Sequence, residues 1–425
     1  MLGGRPQTVR KALDLGLRVV FFQVPALLRP GQAELAHATL LVDYTDWSVL
    51  RPFAVAAHEV YGFTRVVSLA EQAMVPVAQI NELLGLPGTR PEVARLFRDK
   101  WAMRQHLAGS GPGAVAARLY EDAASLREFG ADHGYPFVVK PVDATGGRGV
   151  LRVDGPEEAE EVARRIDELR RRADLPLAQI FPLDRFVMEE LVDGPEYSVE
   201  TMSFDGRHVA VAVTEKLTAG FVEAGHAVPA RLAAADEAAV VDHVTGFLDA
   251  VGLRQGLAHT EVRLSAQGPR LIESHDRSPG GRIMDLVEAA CGIDLELYSV
   301  AWPFGLVPAL AGRPVATRAA ATRFLFPPAG EVVAVHGIED VQGRPELLGL
   351  DVDVAVGGTV PAAADNFDRV GQVLAVGADT GAAVQAVEEL AAKITIVTRE
   401  PGVRAVTECT ERSEGREGAT KEALS

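Results

Sequence analysis

Cysteine is nearly absent from this chain of 425 residues: Cys291 falls in an expected helix and Cys409 in a polar tail. Two thiols so placed supply neither a disulfide framework nor a structural zinc site, and they suit a reducing cytoplasm. Long apolar runs are missing as well. No segment reaches about 18 uninterrupted apolar residues, and the N-terminus lacks the basic-then-apolar order of an export signal, so no membrane span is expected. Basic charge is scarce: 42 Lys and Arg against 59 Asp and Glu leave a net charge of −17. That balance argues against a sequence-independent grip on nucleic acid or an anionic membrane, because both need clustered cations. It leaves room for a nucleotide, since a metal ion and a few local lysines reverse the field inside one cleft. There is no internal repeat and no Met-Lys-Met of a biotin-attachment site.

What is present reads as several α/β and α+β segments. Residues 1–97 alternate short apolar strands, around Leu17–Phe22 and Thr39–Val42, with helical patterns at Thr8–Leu15 and Ser48–Val60, which suits a small unit with a parallel sheet. The opening Gly3-Gly4-Arg5-Pro6 has the form of a turn after a first strand that the sequence does not display, so a trimmed start or a missing strand is expected. Residues 98–185 hold an apolar strand, Tyr135–Val139, just before Lys140 and a helix with Val162, Ile166 and Leu169 on one stripe; Arg164, Arg165, Arg170, Arg171 and Arg172 read as its solvated face. Residues 186–312 are rich in antiparallel strands, with Asp205-Gly206 as a two-residue hairpin turn. Residues 313–405 return to α/β alternation, and 406–425 read as a disordered tail.

Two stretches carry chemistry. Between Lys140 and Val150 the chain reads KPVDATGGRGV. Gly146, Gly147 and Gly149 there allow unusual φ and close backbone approach, as a phosphate-cradling loop needs; an ordinary turn is the alternative. Further on, Leu257–Leu264 and Arg270–His275 read as a hairpin joined by 265–269 and centred on Gln267. Paired positions then sum to 534, so Glu261 faces Glu273 and His259 faces His275, while Val262, Leu264 and Ile272 share the opposite, core-facing side. Two opposed carboxylates repel unless a cation lies between them, and hard oxygen ligands with few protein contributions suit Mg²⁺ or Mn²⁺. A solvent-exposed hairpin with the glutamates one residue out of register is the alternative.

The order Lys100, Lys140-Pro141, Gly146-Gly147-Arg148-Gly149, Glu189-Glu190-Leu191-Val192, Gly194-Pro195-Glu196, Lys216, Glu261 and Glu273-Ser274-His275-Asp276-Arg277 resembles the ATP-grasp superfamily. Within it, the carboxylate-amine ligases that join L-amino acids into dipeptides are the most similar. The resemblance implies an ATP-grasp fold with an N-terminal pre-ATP-grasp α/β domain, a central two-lobed ATP-binding region and a C-terminal α/β segment. It implies ATP with Mg²⁺ or Mn²⁺ as cofactors, small carboxylate and amine substrates, a homodimer, and a cytoplasmic location.

By position, it implies that Lys100 and Lys140 meet the α- and β-phosphates under the Gly146–Gly149 flap. Main-chain groups of Glu189, Glu190, Leu191 and Val192 read adenine, Glu196 takes the ribose hydroxyls, and Lys216 the γ-phosphate. Glu261 and Glu273 are the metal ligands, with His275 a less regular third where asparagine is common. Arg277 holds the substrate carboxylate or its phosphorylated form. Glu223 and His226, in the stretch Phe221–His226 that follows the lysine strand by a loop, are substrate-side candidates, with core packing the alternative for His226. His37, His58, His243 and His336 read as structural. Two other activities stay open on these residues: a biotin carboxylase-like carboxylase, since Glu273, His275 and Arg277 keep that group's spacing, and a nucleotide-binding regulator without catalysis.

Overall fold

The computed structural model describes residues 1–108, 114–171, 183–220, 222–363 and 365–399. The tail expected at 406–425, Cys409, Arg172 and Phe221 lie outside these residues. In the N-terminal segment, helix α1 (Pro6–Asp14) opens on a proline, whose fixed φ suits a first turn. Strands β1 (Val20–Gln23) and β2 (Ala38–Leu41) pair in parallel, and α2 (Trp47–Tyr61) and α3 (Met74–Leu83) bury Leu50, Ala54, Val77 and Ile80 against Val20 and Phe22. The glycine turn does follow a stub of strand. Leu2 bridges Phe22 in parallel, and the Met1 carbonyl accepts the Phe22 N–H at 2.9 Å. So short a stub shows no periodicity, which is why the sequence pattern missed it.

Helices α4 (Pro91–Arg98) and α5 (Lys100–Leu107) break at Asp99, whose carboxylate caps the second by accepting the Ala102 N–H at 2.8 Å. The small lobe is an antiparallel sheet in the order β3-β6-β4-β5, from β3 (Ala117–Leu119), β4 (Phe137–Pro141), β5 (Leu151–Val153) and β6 (Phe186–Glu190). On it pack α6 (Ala123–His133) and α7 (Ala159–Arg171), the latter burying Val162 and Ile166 while Arg164 pairs outside with Glu161.

The large lobe starts with β7 (Glu196–Phe204), β8 (Arg207–Ala219) and β9 (Val222–Val228). Asp205 and Gly206 turn β7 into β8 with φ of 54° and 92°, as a twisted hairpin requires. After α8 (Ala234–Val251) come β10 (Gly256–Ser265), β11 (Gly268–His275), α9 (Ile283–Cys291) and α10 (Leu295–Ala301). The C-terminal elements are β12 (Ala319–Phe324), β13 (Gly330–His336), α11 (Ile338–Val341), β14 (Leu347–Val352), β15 (Thr359–Val360), β16 (Gly371–Gly377), α12 (Thr380–Ala391) and β17 (Thr395–Arg399). Strands on both sides of residue 312 form one sheet in the order β11-β10-β7-β8-β9-β12-β16-β14, so the C-terminal segment continues the large lobe. No helix among the described residues is long and apolar enough to cross a membrane.

The β10–β11 hairpin differs from its expected form in one respect. Glu261 faces Glu273 and His259 faces His275, but a bulge follows Glu261, so Val262 faces Leu271 and Ser265 faces Gly268. One extra residue in β11 flips every later side chain. Leu271 therefore joins Val262 in the core, and Ile272, expected there, lines the cleft instead. The turn narrows to two residues, Ala266 and Gln267, where a five-residue loop was expected.

The lobes are joined by the chain after β6, where Gly194 has φ of 106° and a Cβ there would fall on the Leu264 carbonyl. Close passage lets Leu264 N–H donate to the Pro195 carbonyl at 3.0 Å. Gly194→Ala is expected to cost about 2 kcal/mol of unfolding free energy, from positive φ and the backbone clash, read as a lower urea midpoint.

Candidate active site

Between the lobes lies a cleft of about 660 Å³, walled by the N-terminal segment, both lobes and the loop at 366–369. Lys100, Lys140, Gly146, Gly147, Glu189, Glu190, Leu191, Val192, Glu196, Lys216, Glu223, His226, Glu261, Glu273 and Arg277 all line it. Gly149 lies in the flap at its edge, where a Cβ would meet Pro141 at 3.0 Å. His275 is buried behind Glu273.

The opposed glutamates are wired alike. His259 bonds Glu261 through Nε2 at 3.0 Å and Glu200 through Nδ1 at 2.9 Å. His275 bonds Glu273 through Nε2 at 3.0 Å and Glu71 through Nδ1 at 3.1 Å. Both nitrogens of His275 thus face carboxylates, an arrangement that suits an orienting role for a ring expected as a metal ligand. The two rings stack 6.3 Å apart, 19° from parallel. Glu200, completely enclosed, also accepts from Ser198 and Thr214 at 2.7 and 3.2 Å.

Each glutamate also holds a lysine. Glu261 pairs with Lys216, and Glu273 with Lys100 at 3.1 Å. Burial would push both carboxyls up, yet Lys216 with His259, and Lys100 with His275, hold them ionised, Glu261 at about 2 and Glu273 well below the usual range. Burial likewise opposes charge on His259, but Glu200 and Glu261 raise it to about 9, so it is an imidazolium at neutral pH.

Lys140 sits on fully buried β4 and pairs with Glu189 at 2.8 Å. Arg104 grips the same carboxylate through two 2.9 Å bonds and donates to the Ile272 carbonyl at 2.9 Å. Glu190 accepts the Ala116 N–H at 3.0 Å and pairs with Arg270. Glu196 meets Arg263, which also donates to the Val192 carbonyl at 3.0 Å.

His226 was expected beyond a loop that follows the strand of Lys216. Instead β8 runs on to Ala219 and β9 returns beside it, so Lys216 and His226 are register neighbours. Glu223 is the hub of this wall. It pairs with Lys216 at 2.6 Å and with Arg369, and accepts from Asn366 Nδ2 at 2.9 Å. Burial depresses His226 to about 3, leaving it neutral, packed edge-on to Phe324. Arg277 reaches Glu71 through Nε and Thr145 through Nη2 at 3.0 Å. In the flap, Gly146, Gly147 and Gly149 have φ of 69°, 71° and 71°, and the Gly146 carbonyl accepts the Asn366 N–H at 3.0 Å. Arg148 is buried with its Nη1 unpaired.

Pattern reasoning did not find Glu71, Arg104, Arg148, Glu200, Asn366 or Arg369. Arg148 stood inside the quoted loop, and His259 had been placed on the glutamate face. Glu71 lies over 200 positions from His275 and Arg277 and leaves no local signal.

Among the described residues no group of three or more Asp, Glu, His or Cys side chains is placed to hold a metal alone. Two ionised carboxylates, opposed and cleft-facing, nevertheless fit a small hard cation that takes its other ligands from water and phosphate. The arrangement is one of lysines and arginines already oriented by carboxylates, under a glycine loop, ready for a polyanion.

The sequence matches the family models "ATP-grasp domain" over residues 133–284, "ATP-grasp N-terminal domain" over 9–88 and "L-amino acid ligase C-terminal domain 2" over 323–399. The crystal structure of L-amino acid ligase from Bacillus licheniformis is similar at 25% identity, with a TM-score of 0.79, over 94% of this chain and 98% of that one. Carnosine synthase 1 of Mus musculus is 31% identical over 58% of this chain and 31% of its own length. Alanine–anticapsin ligase of Bacillus subtilis is 26% identical over 56% and 53%. The matches thus span about a third to a half of the length of these two relatives.

Glu189→Gln leaves Arg104 and Lys140 buried without their shared charge, at an expected cost of about 3–5 kcal/mol. The carboxyl sits at about 2 instead of 4.5, so the stability it contributes is full above pH 4.5 and lost as pH falls through 2. Urea unfolding of wild type and variant at several pH values checks both the size and the window.

Proposed function

The chain belongs to the ATP-grasp superfamily, and from that premise we propose that it is an ADP-forming carboxylate-amine ligase joining amino acids, or an amino acid and a small acid, through an acyl phosphate. The observation that carries this reading is the pair Glu261 and Glu273, opposed on the cleft face, each ionised and each holding a lysine.

In this reading a substrate carboxylate oxygen bonds to the γ-phosphorus of ATP as the β,γ-bridging oxygen leaves with ADP. The amine nitrogen then bonds to the acyl carbon, phosphate departs, and the nitrogen loses a proton. Main chain at 189–192 faces adenine and Glu196 the ribose. Lys100, Lys140 and the flap, with Arg148, take the phosphates; Lys216 takes the γ-phosphate. Glu261 and Glu273 are the residues to hold Mg²⁺ or Mn²⁺, which when bound neutralises phosphate charge. Arg277, steadied by Glu71, faces the acyl phosphate, and Glu223 with neutral His226 forms the substrate wall. Such chemistry depends on positioning and on charges fixed beforehand, and the ion-pair lattice supplies both. A cytoplasmic homodimer is the accompanying expectation.

Glu273→Gln and Lys140→Ala are expected to keep the native circular dichroism and to lower amine-dependent ADP release by about a hundredfold or more. Undiminished release from either variant, or release that needs bicarbonate and biotin, overturns the ligase reading. Gly146→Pro, which cannot adopt φ of 69°, is expected to loosen the flap and raise ATP hydrolysis without amine relative to ligation. A ratio equal to wild type contradicts that role for the loop.

A further inference from the structure

Nearly every charge facing the cleft is matched within the protein. Lys100 has Glu273, Lys140 has Glu189, Lys216 has Glu223 and Glu261, Arg263 has Glu196, Arg277 has Glu71, and Arg369 has Glu223. The exceptions are all arginines. Arg5, Arg29 and Arg148 line the cleft, and their guanidinium groups make no hydrogen bond or ion pair to any described residue. Arg148 lies in the flap and is accounted for by phosphate. Arg5 and Arg29 stand on the wall formed by the N-terminal segment and have no role in the chemistry above.

That wall is built. Gln32, fully enclosed, accepts the Arg29 N–H on Oε1 at 3.1 Å and donates Nε2 to the Gly4 carbonyl at 3.0 Å, tying together the loops that carry the two arginines. Gly3 and Gly4 turn the chain with φ of 56° and 104° into α1, whose N-cap is Arg5, so the positive end of the helix adds to the same potential. The wall also adjoins the reacting centre. Ser68 Oγ donates to the Leu2 carbonyl at 2.6 Å, Ser278 Oγ to the Leu69 carbonyl at 2.9 Å, and Glu71 grips Arg277. In a chain of net charge −17, two unmatched guanidiniums in a cleft are a standing preference for an anion.

We infer that Arg5 and Arg29 form the anion subsite that holds the non-reacting carboxylate or phosphate of one of the two non-nucleotide substrates. This deepens the ligase reading and rests on it for the word substrate. The class selected is an amino acid whose own carboxylate is retained, or a phosphorylated amine, over a plain alkylamine or a carboxamide. The planar forks of arginine suit either oxyanion.

The test has two arms, on wild type, Arg5→Gln/Arg29→Gln and Arg5→Lys/Arg29→Lys. In the binding arm, with ADP and Mg²⁺ present, L-alanine, L-alaninamide and O-phosphoethanolamine are titrated by calorimetry. Wild type is expected to favour one of the two anionic probes over L-alaninamide by tenfold or more, the Gln pair to lose that preference, and the Lys pair to keep part of it. Which anion binds tells carboxylate from phosphate. Equal binding of anionic and neutral probes by wild type, or an undiminished preference in the Gln pair, overturns the subsite. In the turnover arm, with amino-acid pairs read by product mass, the Gln pair is expected to raise KM for the anionic substrate by tenfold or more with kcat kept. A fall in kcat with KM unchanged overturns it. A wild type that turns over no pair defeats the ligase reading, while the binding arm still decides the subsite.

Discussion

Two carboxylates facing each other across a strand pair, Glu261 and Glu273, set the terms for the surrounding structure. Like charges at such spacing in a buried setting are unfavourable unless compensated. The compensation comes from four places: Lys216 on β8, Lys100 at the start of α5, and the stacked His259 and His275 on the same two strands. The histidines are in turn backed by Glu200 and Glu71, so each glutamate ends a chain of alternating charge. A charge lattice of this kind has its orientation settled before any ligand arrives. In the proposed ligase, a polyphosphate with its cation exchanges with contacts that already exist, and little reorganisation is left for the reaction itself.

The same need to match buried charge couples the segments of the molecule. Glu71, from the N-terminal segment, grips His275, Arg277 and Arg98 of later elements. Glu223, on β9, gathers Lys216 from β8 with Asn366 and Arg369 from the C-terminal segment. The flap is tied at both ends of this arrangement, Thr145 to Arg277 and Gly146 to Asn366. Every segment thus supplies a member of the cleft. Among the described residues, Arg5 and Arg29 on the N-terminal wall, with Arg148 in the flap, stand out against this background because the other charges facing the cleft are paired.

Much of this was legible in the residue order. Alternation with period two placed Glu261, Glu273, His259 and His275 on one face, Asp205-Gly206 announced its turn, and glycines marked the flap, because these signals arise from backbone geometry within a few residues. The motif order pointed to the ATP-grasp fold, and the fold is that one. The bulge after Glu261 was not legible. It exchanges Ile272 for Leu271 in the core, and which residue is extruded is settled by packing against α8 and the neighbouring strands.

The sequence by itself determined the elements, the shared face of the opposed glutamates and the family resemblance, since each depends on neighbours in the chain. Tertiary structure alone decided which carboxylate answers which cation: Glu71 for Arg277, Glu189 for Arg104 and Lys140, Glu223 for Arg369. It also decided that Arg5 and Arg29 find no answering carboxylate among the described residues. Coulomb attraction and desolvation act through space, and the distances that govern them exist only once segments far apart in the chain have packed.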